Sequence, residues 1–255
     1  PEGIEGPPLM ANFRKQAERF GTRFIQKDVT HVDFSGPVKK VFIGEESFSA
    51  KTVILSTGAA TKWLGIESES RLLGKGVSSC ATCDGAFFQG VPLVVVGGGD
   101  SAMEEATFLT KFASQVTIVH RREALRASKI MQDRALKNPK IRFVLDSEVE
   151  EIVGENAVTG IRVKNVRSGE TQTIACEGVF IAIGHEPNTR FLKGHVQLDE
   201  KGYIVMPKRP TTYTSVDGIF AAGDVQDTIY RQAITAAASG CQAAIDAERY
   251  LESLH

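Results

Sequence analysis

The chain is short of tryptophan, methionine and cysteine, with one, four and four among 255 residues, and it has almost no net charge. Thirty basic side chains face 31 acidic ones. No broad field therefore favours nucleic acid or an anionic membrane, and neither is expected as a partner. No apolar run approaches the ~20 residues that span a bilayer. The opening Pro1-Glu2-Gly3 lacks the basic-then-apolar order of a secretion signal, so a cytoplasmic location is the expectation. Cys80, Cys83, Cys176 and Cys241 are too few to staple a chain of this length. In a reducing compartment a close pair suits catalysis better than bracing. What remains, 42% hydrophobic and 24% charged, is enough for one large domain or two smaller ones.

Leu9, Met10, Phe13, Ala17 and Phe20 recur at helical spacing before Gly21, which predicts an amphipathic helix buried on one face. Strand-like stretches follow around Phe24–Gln26, Val38–Ile43 and Thr52–Ser56, the last running into Thr57-Gly58. From Val91 the order becomes strand, turn, helix, strand. Pro92–Val96 is a continuous apolar run suited to a parallel strand buried on both faces. A helix over Ser101–Lys111, a strand over Val116–Val119 and a helix over Arg126–Lys137 come next, and further strands run to Ile183. Ile219–Asp224 ends an apolar strand in Gly-Asp, and an alanine-rich helix closes the chain from about Gln232 to Leu254. The fold class expected is α/β. It comprises two Rossmann-like, three-layer nucleotide-binding domains, with residues 68–184 inserted between 1–67 and 185–255 of the other.

Two patterns carry chemistry. Gly97-Gly98-Gly99-Asp100-Ser101-Ala102 fits G-x-G-x-x-A after a buried strand and before a helix. Gly97 permits the tight turn, Gly99 lets backbone approach a pyrophosphate, and the small Ala102 lets the helix pack closely. The helix start adds N–H groups and partial positive charge for phosphates. The next strand ends in His120-Arg121-Arg122, with Arg126 a turn beyond, where an NAD enzyme would place a carboxylate for the ribose hydroxyl. Guanidinium forks there suit a 2′-phosphate, and cations at a helix start need an anion to offset the macrodipole, so NADPH is the expected dinucleotide. The plainer alternative is a solvated basic helix start.

The second pattern is Cys80-Ala81-Thr82-Cys83-Asp84. Two intervening residues let both sulfurs meet across one turn, which suits reversible disulfide formation, and Asp84 could move the proton. A zinc site would normally need two more ligands at short spacing, and no second pair exists, so no metal is expected. A simple buried pair stays open as an alternative.

These motifs resemble the low-molecular-weight, NADPH-dependent thioredoxin reductases of the pyridine nucleotide-disulfide oxidoreductase family. The match runs through Cys80–Gly85, Gly97–Ala106, His120–Arg122, Arg126–Ile130, Ala182–His185, Ala221–Val225 and Tyr230–Ala233, essentially the whole chain. The resemblance implies FAD in the discontinuous domain and NADPH in the inserted one, with thioredoxin as the disulfide substrate and a homodimer as the assembly. Cys80 and Cys83 would then be the redox pair, with Asp84 as acid/base. Gly97, Gly99, Ser101 and Ala102 would cradle the NADPH phosphates, Arg121, Arg122 and Arg126 would hold its 2′-phosphate, and Asp100 and His120 would belong to the same cofactor site. Asp224, Val225, Arg231, Gln232 and Ala233, with Thr57 and Gly58, would hold the flavin. The family also implies rotation of the inserted domain, with hinges around Gly65–Ser70 and Gly184–Asn188. One departure is that the family's first glycine-rich, FAD-binding unit does not precede Pro1. A related flavoprotein serving a peroxiredoxin, or a non-catalytic NADP-binding module, is the competing reading.

Overall fold

A computed structural model describes residues 3–254. The chain divides into two compact units, one from residues up to Thr57 together with Thr189 onward, the other from Gly58–Asn188.

The first unit opens with helix α1 (Gly6–Arg19), which carries prolines in its first turn where a missing N–H costs nothing. The expected buried face is not formed. None of its residues is buried, and Met10 and Phe13 stand more than half exposed. The apolar spacing was right for a helix, but among the described residues no element of this unit buries the stripe. Phe24–Gln26 is likewise irregular rather than a strand. Strands β1 (His31–Asp33), β2 (Lys39–Ile43) and β3 (Glu46–Ala50) form an antiparallel meander, and β4 (Val53–Leu55) leads to Thr57.

The second unit begins with β5 (Ala59–Thr61), the short helix α2 (Glu67–Arg71), β6 (Val77–Ser78) and helix α3 (Ala81–Asp84). The Gly65–Ser70 stretch is tied down, since the buried Glu69 carboxylate accepts from the N–H groups of Leu64 and Gly65 at 2.9 and 3.0 Å. Strand β7 (Pro92–Val96), helix α4 (Asp100–Leu109), β8 (Gln115–Val119), helix α5 (Lys129–Leu136) and β9 (Ile141–Val144) follow. Strands β10 (Ser147–Val153), β11 (Gly160–Asn165) and β12 (Thr171–Ala175) form a second meander, and β13 (Gly178–Ile181) returns to the main sheet. Strand β14 (His185–Pro187) pairs antiparallel with β5. That pairing is why the units divide at 57/58 and 188/189 rather than at 67/68 and 184/185.

The main sheet has order β6-β13-β7-β8-β9 and every described pairing in it is parallel. A parallel sheet must be covered on both faces, and the residue alternation shows how. Leu93, Val95, Val116, Ile118 and Phe180 face a core with Ala102, Met103, Ala106 and Leu109 of α4. Val94, Val96, Val119, Val179 and Ile181 face the opposite core with Ile152, Ile161 and Val163 of the second meander. Helix, sheet and meander thus make three layers, and each fully buried aliphatic side chain contributes about 1.5–3 kcal/mol.

The chain re-enters the first unit and forms β15 (Ile219–Ala221) and helix α6 (Ala233–Glu252). Strand β15 lies parallel to β4. Ile219 and Ala221 face a core with Leu55, Leu192 and Ile204, while Phe220 and Ala222 face Ala243 and Ala247 of α6. The buried Asp246 carboxylate anchors α6 by accepting from both the N–H and hydroxyl of Thr212 at 2.8 Å. Among the described residues, no helix is long and apolar enough to cross a membrane.

Candidate functional site

Strand β7 delivers the chain into Gly97-Gly98-Gly99 at the carboxyl edge of the parallel sheet, the usual ligand edge of such sheets. Each glycine answers a different demand. A Cβ on Gly97 would meet the Ala182 carbonyl oxygen at 2.4 Å and the Ala102 Cβ at 2.8 Å. Ala102 itself is fully buried, so the small third position is needed for helix packing. A Cβ on Gly99 would meet nothing within 4 Å, which leaves backbone open for close approach. Gly99 is also the N-cap of α4 and has no side chain to occupy the first-turn N–H groups. Gly98, which the sequence reading did not single out, is needed because a Cβ there would strike the His120 ring at 2.4 Å.

His120 is buried, and it joins the turn to the basic strand end. Burial pushes its pKa below the usual histidine range and the charges of Arg126, Arg121 and Arg122 add to this, opposed by a hydrogen bond to the Ala124 backbone. Its Nε2 is buried with no hydrogen-bond partner among the described residues. The Gly98 carbonyl accepts from the N–H groups of Arg126 and Ala127 at 2.7 and 3.0 Å. Asp100 accepts the Ser128 N–H at 2.7 Å and so holds the start of α5 against the start of α4. A cavity of about 500 Å³ opens beside the turn, lined among others by Trp63, Gly97, Gly98, His120, Arg121 and Arg126. That volume is in the range of small-molecule and cofactor sites. Arg121, Arg122 and Arg126 are all exposed. Ser101 is half-buried in the first turn of α4.

Cys80 and Cys83 are joined as a disulfide, with Cα atoms 5.3 Å apart. Cys80 is half-buried and forms the N-cap of α3, its sulfur accepting the Cys83 N–H at 3.2 Å; Cys83 is exposed. The α3 turn is seated by Gly85, where a Cβ would strike Leu109 Cδ2 at 2.9 Å. Ser78 is the residue that the motif did not reveal. Its hydroxyl donates to Asp84 Oδ2 at 2.6 Å and accepts the Cys80 N–H at 3.1 Å, bracketing the disulfide turn. Its signal in the sequence is weak, a serine two residues before the first cysteine. Cys176 and Cys241 are free thiols. Burial pushes the Cys176 thiol up to about 12, so it stays protonated and inert, as expected of a core residue. Cys241 is exposed rather than a core residue, because it lies on the outward face of α6.

In the first unit, β4 and β15 end side by side at Thr57 and at Gly223-Asp224, with the Ala222 N–H on the Leu55 carbonyl at 3.0 Å. Gly223 has φ +75°, a conformation that glycine adopts without strain. Asp224 is half-buried; burial raises its pKa, and the charge of Asp227 adds to this while Arg231 opposes it. Asp227 is itself partly buried, yet its pKa is lowered because its carboxylate accepts the N–H groups of Tyr230, Ile229 and Arg231. This bracket, unseen in the sequence, shapes the loop before α6 and holds Arg231 at φ +49°. Gln232 is the N-cap of α6 and forms a capping box with Thr235. Val225 is buried and Ala233 is exposed. Beside them Ile229, Tyr230 and Ile234 are 71%, 66% and 78% exposed. Exposed apolar side chains around a strand-end Gly-Asp turn form a surface suited to an aromatic ring system. Gly58 belongs to the other unit from Thr57 and Asp224.

The pyridine nucleotide-disulphide oxidoreductase family pattern matches residues 5–240. A thioredoxin reductase of Mycolicibacterium smegmatis is 54% identical over 98% of this chain and 80% of its own length. A bifunctional thioredoxin reductase/thioredoxin of Mycobacterium leprae is 53% identical over 98% of this chain and 54% of its own. The solved thioredoxin reductase of Giardia duodenalis superposes with a TM-score of 0.95 at 44% identity, over 98% of this chain and 82% of that one.

Proposed function

The chain belongs to the pyridine nucleotide-disulphide oxidoreductase family, and from that premise we propose that it is an NADPH-dependent thioredoxin reductase, with FAD as its second cofactor. The observation that carries the reading is the Cys80–Cys83 disulfide, exposed at Cys83 and set on a helix start ahead of a complete dinucleotide-binding turn. The residues present fit both groups. The open backbone of Gly99, the α4 N-terminus and the arginine-lined cavity suit NADPH. Thr57, Asp224, Val225, Arg231, Gln232 and Ala233, with the exposed Ile229 and Tyr230, suit the flavin in the first unit, and Gly58 is its neighbour in sequence.

When bound, the two cofactors supply a two-electron reduction. The chain's own part is thiol chemistry. Reduction of the Cys80–Cys83 bond by two electrons and two protons gives two thiols, and Asp84, oriented by Ser78, is placed to hold and return a proton. One thiol, as thiolate, attacks the thioredoxin disulfide; the other then attacks the mixed disulfide, which releases thioredoxin as a dithiol and restores the bond.

The finer parts of the reading are a homodimer and a cytoplasmic location. The uncovered apolar stripe of α1 favours self-association, and a dithiol in steady use favours a reducing compartment. Replacement of Cys83 by Ser is expected to abolish NADPH-driven reduction of insulin disulfides through thioredoxin, while the chain keeps its flavin colour. Intact insulin reduction by that variant would end the reading. Peroxiredoxin offered as an alternative acceptor separates the competing assignment.

A further inference from the structure

Resting on the dinucleotide reading above, we propose that Arg167 sets the preference for a 2′-phosphate from outside the arginine cluster, as a positioning residue that neutralises two acids beside it. A carboxylate at the end of the second strand is what selects the unphosphorylated ribose. This chain keeps two acids in that neighbourhood. Glu123 follows Arg122 directly, and Asp146 lies against the same loop, its N–H 3.3 Å from the Arg122 carbonyl. Ser147 and Glu148, the next residues after Asp146, line the cavity. Left alone, two negative charges here would offset two of the three arginines expected to hold a dianion.

The structure gives both acids to one guanidinium. Arg167 Nη2 lies 2.7 Å from Glu123 Oε2, and Nε lies 3.3 Å from Asp146 Oδ1. Arg167 sits on the β11–β12 turn, where the Asn165 side chain accepts the N–H groups of Arg167 and Ser168 at 2.9 Å. The next link is also backbone, since the Val166 N–H donates to the Asp146 carbonyl at 2.7 Å. The tip of the second meander is thereby fastened to the arginine loop. Glu148, the carboxylate that lines the cavity itself, faces Lys164 in the β10–β11 register, but the Lys164 ammonium pairs with Glu150 at 3.8 Å, so Glu148 is a charge common to every variant tested below. An ion pair with Arg167 63% exposed adds little to stability. Its effect is on the charge that an incoming phosphate meets.

The test needs no turnover. Trp63, the sole tryptophan, lines the cavity, so its fluorescence reports dinucleotide binding to the full chain. Arg167→Ala is expected to weaken NADP⁺ and 2′,5′-ADP by about fivefold at low salt, and less as salt rises. NAD⁺ and 5′-AMP should change by less than about twofold, since they carry no charge at that position. Adding Glu123→Gln and Asp146→Asn to Arg167→Ala should restore NADP⁺ binding. An equal loss for both nucleotides, no loss, or no restoration would overturn the proposal. If the unaltered chain binds NADP⁺ no more tightly than NAD⁺, the cofactor reading itself falls first.

Discussion

Two strand-end turns of the same kind have been finished in opposite ways. The Gly97–Ala102 turn is enclosed. The Ala182 backbone, the Ala102 methyl and the His120 ring crowd it, and its Gly98 carbonyl is fully engaged. The Gly223-Asp224 turn is open. The nearest atom to a Cβ on Gly223 would be the Ala236 methyl at 3.7 Å, and Ile229, Tyr230 and Ile234 beside it face solvent. The difference follows from the sheets. Strand β7 has strand neighbours on both edges of a five-stranded sheet, whereas β4 and β15 form a two-stranded pair. A turn built on a complete sheet is shaped by its walls; a turn built on a strand pair keeps its shape through backbone geometry and local hydrogen bonds.

Substitutions at the two glycines test that contrast most sharply. Gly98→Ala should cost about 1–3 kcal/mol, the usual range for overpacking, and should weaken NADP⁺ binding more than tenfold. A second change, His120→Ala, should recover most of the stability, measured by urea denaturation. Failure of that rescue would mean that the ring is not the wall. Gly223→Ala meets no wall, so only its positive φ is penalised, at about 1 kcal/mol, and no neighbouring truncation should relieve it.

A smaller effect comes from charge. Burial raises the folded pKa of Asp224, so its favourable contribution belongs to the protonated form and is lost as pH rises through that pKa. Asp224→Asn should therefore raise the melting temperature by about 1 °C at neutral pH, with the gain fading as pH falls into the carboxylate range. Asp227 has the opposite sign. Its lowered pKa gives stability that is present at neutral pH and lost in acid, so Asp227→Asn should lower the melting temperature only above the carboxylate range. Smallest of all should be Ile234→Ser, within about 0.5 kcal/mol because the side chain is already in water. Retention of flavin colour by that variant would argue against an apolar flavin seat.

The enclosed turn was the more legible in sequence for the same reason that it is rigid. A buried parallel strand writes an unbroken apolar run, as in Pro92–Val96, and the glycines that follow have few alternatives. Strands β10 and β11 were also readable as strands, because one face is buried and the alternation survives. The short pieces were not. Helix α3 spans four residues and β5 and β14 three each, too few for any period to show. The α1 stripe misled in another way, since spacing predicts which face would be buried but not whether a cover exists. Gly98, Ser78 and Asp227 escaped because each acts through a partner distant in sequence or through backbone N–H groups, which no residue pattern encodes.

The bond from Asp100 to the Ser128 N–H carries a consequence for anyone wishing to switch the electron donor. It clamps the starts of two helices into a single bracket, to which the Gly98 carbonyl also fastens the arginine loop. Exchanging the arginines alone would leave the frame that aims them unchanged. A graft from an NADH-using relative would need to move the glycine turn, the loop and both helix starts as one cassette.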